Sequence, residues 1–184
     1  MLSFFKKEFV SGTIAGILIA IGGTVFLSCH DKIVGSFLFS IALLCICLED
    51  FSLYTGKICY LPESTNTDGV KVLPICLLSN VVSTFLCALL LKFTHVSLNK
   101  AANLLCVAKL DKSISQVFLD AFFCGILIHL AVDIYKNKNS LVGILVGIPV
   151  FILCGFEHCI ADVFYFSLCD FTIFIRSVVF LFVR

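Results

Sequence analysis

The sequence has no tryptophan, one methionine, three prolines and little charge: Asp, Glu, Lys and Arg together make up 14% of its 184 residues. A soluble domain of this length carries about a quarter of its residues as charge, because it needs them to cover its surface. The formal net charge of +1 gives no sign of the basic surplus that goes with nucleic-acid binding. The eleven cysteines include no CxxC pair, and Cys45-Ile-Cys47 has the wrong spacing for a zinc knuckle. Most of them, including Cys76, Cys87, Cys124 and Cys154, lie inside apolar runs, where a thiol behaves as a small hydrophobe. HExxH and HxxxH pairs are also missing, so neither a metal nor a cofactor is expected.

What remains is apolar: 60% of the residues are hydrophobic. Val10–Cys29, Val72–Leu91 and Ser140–Phe156 contain no Asp, Glu, Lys or Arg. A run of about 20 such residues spans the hydrocarbon core as a helix. The first run is as long as a span, and Ser28-Cys29-His30-Asp31 is a poor cleavage site, so it is expected to be retained. Six hydrophobic segments are predicted: 10–29, 33–60, 72–93, 117–135, 141–168 and 171–183. The second is overlong and interrupted by Glu49, Asp50 and Thr55-Gly56. The fifth is overlong and interrupted at Gly155-Phe-Glu-His158. Leu61–Val70 reads as a solvent loop, and 95–115 as an amphipathic surface helix. Placing both termini on one side gathers Lys6, Lys7, Lys57, Lys71, Lys136, Lys138, Arg176 and Arg184 there, which favours cytoplasmic termini and a multi-pass protein of the plasma membrane.

Gly16-Ile-Leu-Ile19 recurs as Gly125-Ile-Leu-Ile128, 109 residues later, and the two interrupted segments fall in corresponding places. Halves of three spans each, about 9–93 and 117–184, would reverse direction on repeating. Inverted repeats of this kind place the ligand path near the midplane, between discontinuous helices. The expectation is a single all-α transmembrane domain over 1–184, a six-helix bundle with an inverted repeat and two broken helices.

Within apolar runs, ionisable residues face a cavity or a protein partner. Glu157 reads as an acceptor for backbone N–H groups freed at a break. His158 reads as functional, because imidazole can change charge and either donate or accept a proton. His129 in the fourth segment is either a pore-lining donor or one side of an interhelical bond. Thr55 offers a hydroxyl beside Gly56, and Phe39 and Leu43 share the helix face leading there.

These residues resemble those of the formate/nitrite transporters. Phe9-Val-Ser-Gly12-Thr-Ile-Ala-Gly16 through Gly23 is similar to the first-helix signature. Leu53-Tyr-Thr-Gly56-Lys57 resembles the family's LFTGN, Asn80 its third-helix Asn, and Gly125-Ile-Leu-Ile-His129 its GILCN. Gly155-Phe-Glu-His-Cys-Ile-Ala-Asp162 closely resembles GFEHSxAN. The resemblance covers about residues 9–168. It implies an aquaporin-like protomer, a homopentamer with one pore per protomer, and His158 at the pore centre near Thr55, with His129 and Val132 along the path. It also implies outer constriction residues Phe39 and Phe151, and inner ones Leu43, Leu53 and Tyr54. Lys109 and Lys112 are then expected to gather anions at the outer mouth. The chain departs from the family pattern at His129 and Asp162, both Asn in the family, and in lacking the sixth-helix motif.

The implied function is passage of a small weak-acid anion (formate, nitrite or hydrosulfide) through a membrane pore. A neutral-solute pore of aquaporin type would carry paired NPA motifs, which are absent here. An intramembrane enzyme built on His129, Glu157 and His158 would need a nucleophile–base motif, and the sequence has none.

Overall fold

The computed structural model describes residues 2–60, 67–94 and 96–183, and among them all regular structure is helical. In chain order the helices are α1 (Leu2–Ser28), α2 (Lys32–Leu48), α3 (Tyr54–Ile58), α4 (Thr67–Thr94), α5 (Val96–Leu110), α6 (Ile114–Lys138), α7 (Val142–Leu153), α8 (Cys159–Leu168) and α9 (Phe171–Val183). Phe4–Ser28, Val70–Thr94 and Ile114–Lys138 are each long and apolar enough to cross a bilayer alone. Lys32–Leu48, Val142–Leu153 and Cys159–Leu168 are shorter apolar helices, flanking the interruptions expected in the second and fifth segments.

Two expected boundaries change. Residues 61–66 of the expected 61–70 loop lie outside the described residues, and the rest of it is already helical from Thr67. The amphipathic helix expected at 95–115 is α5, which ends at Leu110: Leu98, Ala102 and Cys106 are buried at four-residue spacing, against α8 and α1, while Leu104 on the other side is exposed.

Helix α1 packs chiefly on α4 and α2. Its small residues permit the approach. A Cβ on Gly16 would overlap the Ser83 hydroxyl and stand 2.7 Å from the Asn80 carbonyl oxygen; one on Gly23 would stand 2.6 Å from the Phe164 ring. Facing serines bond back into their own helix (Ser83 Oγ donates to Ser79 O at 2.7 Å), so the contact is close and free of unpaired hydroxyls. Close packing of small residues is how helices adhere where lipid removes the hydrophobic drive.

The two breaks are made by one backbone device. After α2, Asp50 takes a positive φ of 51°, Phe51 N donates to Ile46 O (2.9 Å) and Asp50 N to Cys47 O (3.4 Å). After α7, Gly155 takes φ 69°, Phe156 N donates to Phe151 O (3.1 Å) and Gly155 N to Ile152 O (3.0 Å). Each is a Schellman cap, in which a left-handed residue turns the chain and two N–H groups satisfy the last carbonyls. Asp50 therefore matches Gly155 and Phe51 matches Phe156, a spacing of 105 residues instead of the 109 read from the Gly16 repeat. The first break lies at Glu49–Leu53, so Thr55 and Gly56 stand inside the short helix that follows it.

Gly155 and Gly125 give opposite expectations. A Cβ would meet nothing within 4 Å at either. Gly155→Ala places a side chain in a left-handed backbone, at a cost of about 1–2 kcal/mol. Gly125→Ala in helix α6 should instead gain about 0.5–1 kcal/mol from reduced chain entropy. Melting of the detergent-solubilised protein should fall for the first variant and rise for the second.

Candidate functional site

The freed backbone of the first break is satisfied by α1 and α4. Asn80, fully buried on α4, donates to Gly12 O (2.7 Å) and Ser52 O (2.9 Å) and accepts from Tyr54 N (2.8 Å). Ser52 N donates to Ser11 Oγ at 2.9 Å, and the Cys76 thiol donates to Ser52 O at 3.1 Å. Glu8 accepts from the Ser52 hydroxyl (2.6 Å) and from Lys57 (3.0 Å). Leu53 is thereby held buried at the head of α3, and Thr55 in its first turn.

The second break is fastened by charge. Lys112 donates to Gly155 O (2.6 Å), to Glu157 Oε1 (2.7 Å) and to Asp120 (2.7 Å). Lys109 pairs with Glu157 Oε2 at 2.7 Å and with Asp162 at 3.0 Å. Two expectations are corrected here. Glu157 accepts from the Lys109 and Lys112 ammonium groups, while the N–H groups of Gly155 and Phe156 are taken by the Schellman cap. Lys109 is no exposed collector at an outer mouth: it is 6% exposed and held between two carboxylates. Lys112 is likewise engaged by the break.

His158 follows as the N-cap of α8. Its Nδ1 accepts from Ala161 N at 3.2 Å. In the neutral ring the proton is then on Nε2, which faces Thr55 Oγ1 at 3.0 Å. If Nε2 donates, the threonine hydroxyl accepts and its own hydrogen is left for a third group. The ring stacks on Phe151 (centroids 5.7 Å), and Phe151 meets Phe39 edge-on at 6.5 Å. Phe39, Leu43, Leu53, Phe151 and His158 are all buried, so none of these side chains faces lipid. Tyr54, at the start of α3, is only partly buried.

His129 and Val132 stand on the face of α6 turned to α3. Val132 packs by Gly56, and His129 meets Tyr60 at 5.3 Å between ring centroids. The structure thus brings Thr55, His158, Phe39 and Phe151 together, and sets His129 beside the far end of α3. Among the described residues no group of three or more His, Cys, Asp or Glu is arranged to hold a metal. All eleven cysteines are free thiols.

Ser11, Ser52, Cys76 and Glu8 were not anticipated from sequence; isolated polar residues carry no periodic signal. The burial of Lys109 had one: it lies three residues beyond Cys106, on the same face as Leu98 and Ala102.

Comparison with known proteins decides the family. The family model described as Formate/nitrite transporter matches residues 3–179. The chain belongs to the formate/nitrite transporter family. It is therefore a multi-pass membrane protein of a channel and transporter family. Among solved structures, a pentameric formate channel with formate bound is similar at a TM-score of 0.80 and 21% identity, over 99% of this chain and 78% of that one. An FNT family ion channel is similar at a TM-score of 0.71 and 22% identity, over 91% of this chain and 74% of that one. At these identities the likeness is one of fold. No curated protein matches.

Lys109→Met leaves Glu157 and Asp162 buried without that partner, an expected loss of about 3–5 kcal/mol. Lys57→Met, at a more exposed pair, should cost about 1 kcal/mol or less. Thermal melting of the two variants side by side checks the ranking, and equal losses would contradict the buried network.

Proposed function

We propose that this transporter family member passes a small monovalent weak-acid anion, with formate first and nitrite or hydrosulfide next, through a pore centred on His158. The observation that carries this reading is the imidazole paired with Thr55 at 3.0 Å and stacked on Phe151 at 5.7 Å, amid buried apolar side chains. Removing an anion from water is costly without replacement hydrogen bonds. The Thr55 hydroxyl and the imidazole are the polar groups available beside the aromatic pair. Phe39 and Phe151 on one side, and Leu43, Leu53 and Tyr54 on the other, act as constrictions that reject hydrated ions by size and dewetting. A proton accompanies the anion when the imidazole supplies one, and the neutral acid then passes an apolar gate readily.

The protein acts as a channel and carries out no covalent chemistry. It forms one domain, works as a homopentamer in the plasma membrane with both termini cytoplasmic, and takes no cofactor. The fold likeness to a pentameric formate channel supports the assembly. So do the outward apolar side chains Leu90, Phe93 and Phe118, 69%, 83% and 70% exposed, which need lipid or a neighbouring protomer to cover them. The lysine distribution supports the orientation.

The test is uptake of formate, nitrite, hydrosulfide and chloride into proteoliposomes across a range of pH. His158→Asn preserves a good N-cap, so the variant should fold and assemble, but it cannot titrate. It should lose pH-dependent selectivity and conduct chloride more readily. Formate uptake with unchanged rate, pH profile and selectivity would remove the proton-transfer role. Phe39→Ala should raise chloride leak while formate still passes.

A further inference from the structure

Two of the eleven cysteines meet although nothing in their sequence spacing pairs them. Cys106 lies on α5 and Cys169 is the C-cap of α8, and both are fully buried. Their thiols are hydrogen-bonded to each other, and the Cys169 thiol also donates to Tyr165 O at 3.3 Å. The pair sits in an antiparallel ladder of contacts between the two elements. Three residues before Cys106, Asn103 donates from Nδ2 to Asp170 Oδ2 (2.6 Å) and accepts at Oδ1 from Asp170 N (2.9 Å). Three residues after it, Lys109 pairs with Asp162 at 3.0 Å. Residues 103, 106 and 109 share one side of α5, so the thiol contact is held from above and below. Cys169 stands past the last helical residue, with φ −64° and ψ 163°, and its side chain is free of the rotamer restriction a helix imposes.

The side of the membrane follows from the path of the chain. From a cytoplasmic N-terminus, α1 crosses outward, α2 and α3 return, and α4 crosses outward again. Lys92, in the last turn of α4, donates its ammonium to Cys169 O. Cys169 and the α5 residues around Cys106 therefore belong to the outer side. Cell surfaces and periplasmic spaces are oxidising, and disulfides form and persist there.

We propose that Cys106 and Cys169 join as a disulfide in the membrane-inserted protein and clip α5 to the end of α8. This rests on the orientation proposed above. Two S–H bonds break and one S–S bond forms; the two electrons and two protons pass to an external small disulfide, which leaves as two thiols. Both sulfurs are closed from solvent once the helices pack, so the exchange belongs to insertion, and the finished bond is shielded from reductants. The clip lies one helical turn from Lys109. It keeps that ammonium against Asp162 by a bond that needs no desolvated charge.

The test denatures membranes carrying the full chain in N-ethylmaleimide without reductant, then weighs the alkylated chain and maps its peptides. Nine thiols should be labelled (eleven less the pair), all eleven after reduction, with one peptide pair linked through Cys106 and Cys169. Eleven labelled thiols without reduction, or a link between other cysteines, overturns the proposal. Cys106→Ser and Cys169→Ser should each lower the melting temperature by about 5–15 °C, as expected for one disulfide. The double variant should lose no more than either single one. Losses that add in the double variant would mark two separate packing contacts and would also overturn the bond. Where a variant does not assemble, the wild-type peptide map decides. Digestion of an N-terminal tag from outside intact cells would defeat the orientation instead, and a mapped link between Cys106 and Cys169 would still stand.

Discussion

A helix cannot stop inside a bilayer unless protein supplies partners for the backbone it exposes, since hydrocarbon supplies none. This structure stops two helices. Each stop needs the last carbonyls of the first half satisfied, the intervening peptide groups held, and the first N–H groups of the second half occupied. The Schellman caps meet the first need identically at Asp50 and Gly155. The other two are met by different chemistry: amide, hydroxyl and thiol around Ser52 and Tyr54 at the first break, and at the second the Lys112 ammonium on Gly155 O with the His158 imidazole on Ala161 N. The neutral solution requires close backbone approach, which explains the small residues of α1 opposite Asn80. The charged one tolerates more distance, because Lys109 and Lys112 reach in on long side chains.

The charged solution has its own energetics. Buried ion pairs seldom add net stability, because desolvating each charge offsets the attraction. Their value here is geometric. Lys112 joins the end of α7, the start of α6 and the break in one ammonium, through Gly155 O, Asp120 and Glu157. Lys109 ties α5 to Glu157 and to the first turn of α8 through Asp162. His158 lies between those two attachments, so its ring is positioned by groups that never touch it. Asp162, where the family pattern has an asparagine, brings a further carboxylate to this network, and Lys109 neutralises it locally.

Much of this was legible in the sequence, and the limits have physical causes. Apolar runs and their interruptions revealed the spans and both breaks, because hydrocarbon enforces composition more strictly than water does. The mid-run position of Glu157-His158 marked the second break to the residue. The first was read too broadly, from Glu49-Asp50 on to Thr55-Gly56, since Thr55-Gly56 looks like a helix breaker while the left-handed position is occupied by Asp50, a residue that only sometimes adopts it. The capped turns correspond at 105 residues and the Gly16 letters at 109, a difference that fits α2 having 17 residues where α7 has 12. Lysines 109 and 112 were misplaced as surface charges because a charge beside a loop is usually solvated, and their carboxylate partners lie 8 to 53 residues away in the chain.

Matching the breaks by their caps makes one asymmetry visible. Phe51 corresponds to Phe156, and two residues further Leu53 corresponds to His158, each the N-cap of the half-helix that follows. An N-cap side chain normally accepts a hydrogen bond from the first turn. Leucine cannot, and the turn after Leu53 takes Asn80 from α4 as its acceptor instead. Histidine can, and spends Nδ1 on Ala161, which turns Nε2 toward Thr55 on the opposite half-helix. The same backbone turn therefore presents an apolar stop on one side and an oriented imidazole on the other. At equivalent positions the two halves of the site thus differ in the side chain that caps the half-helix that follows.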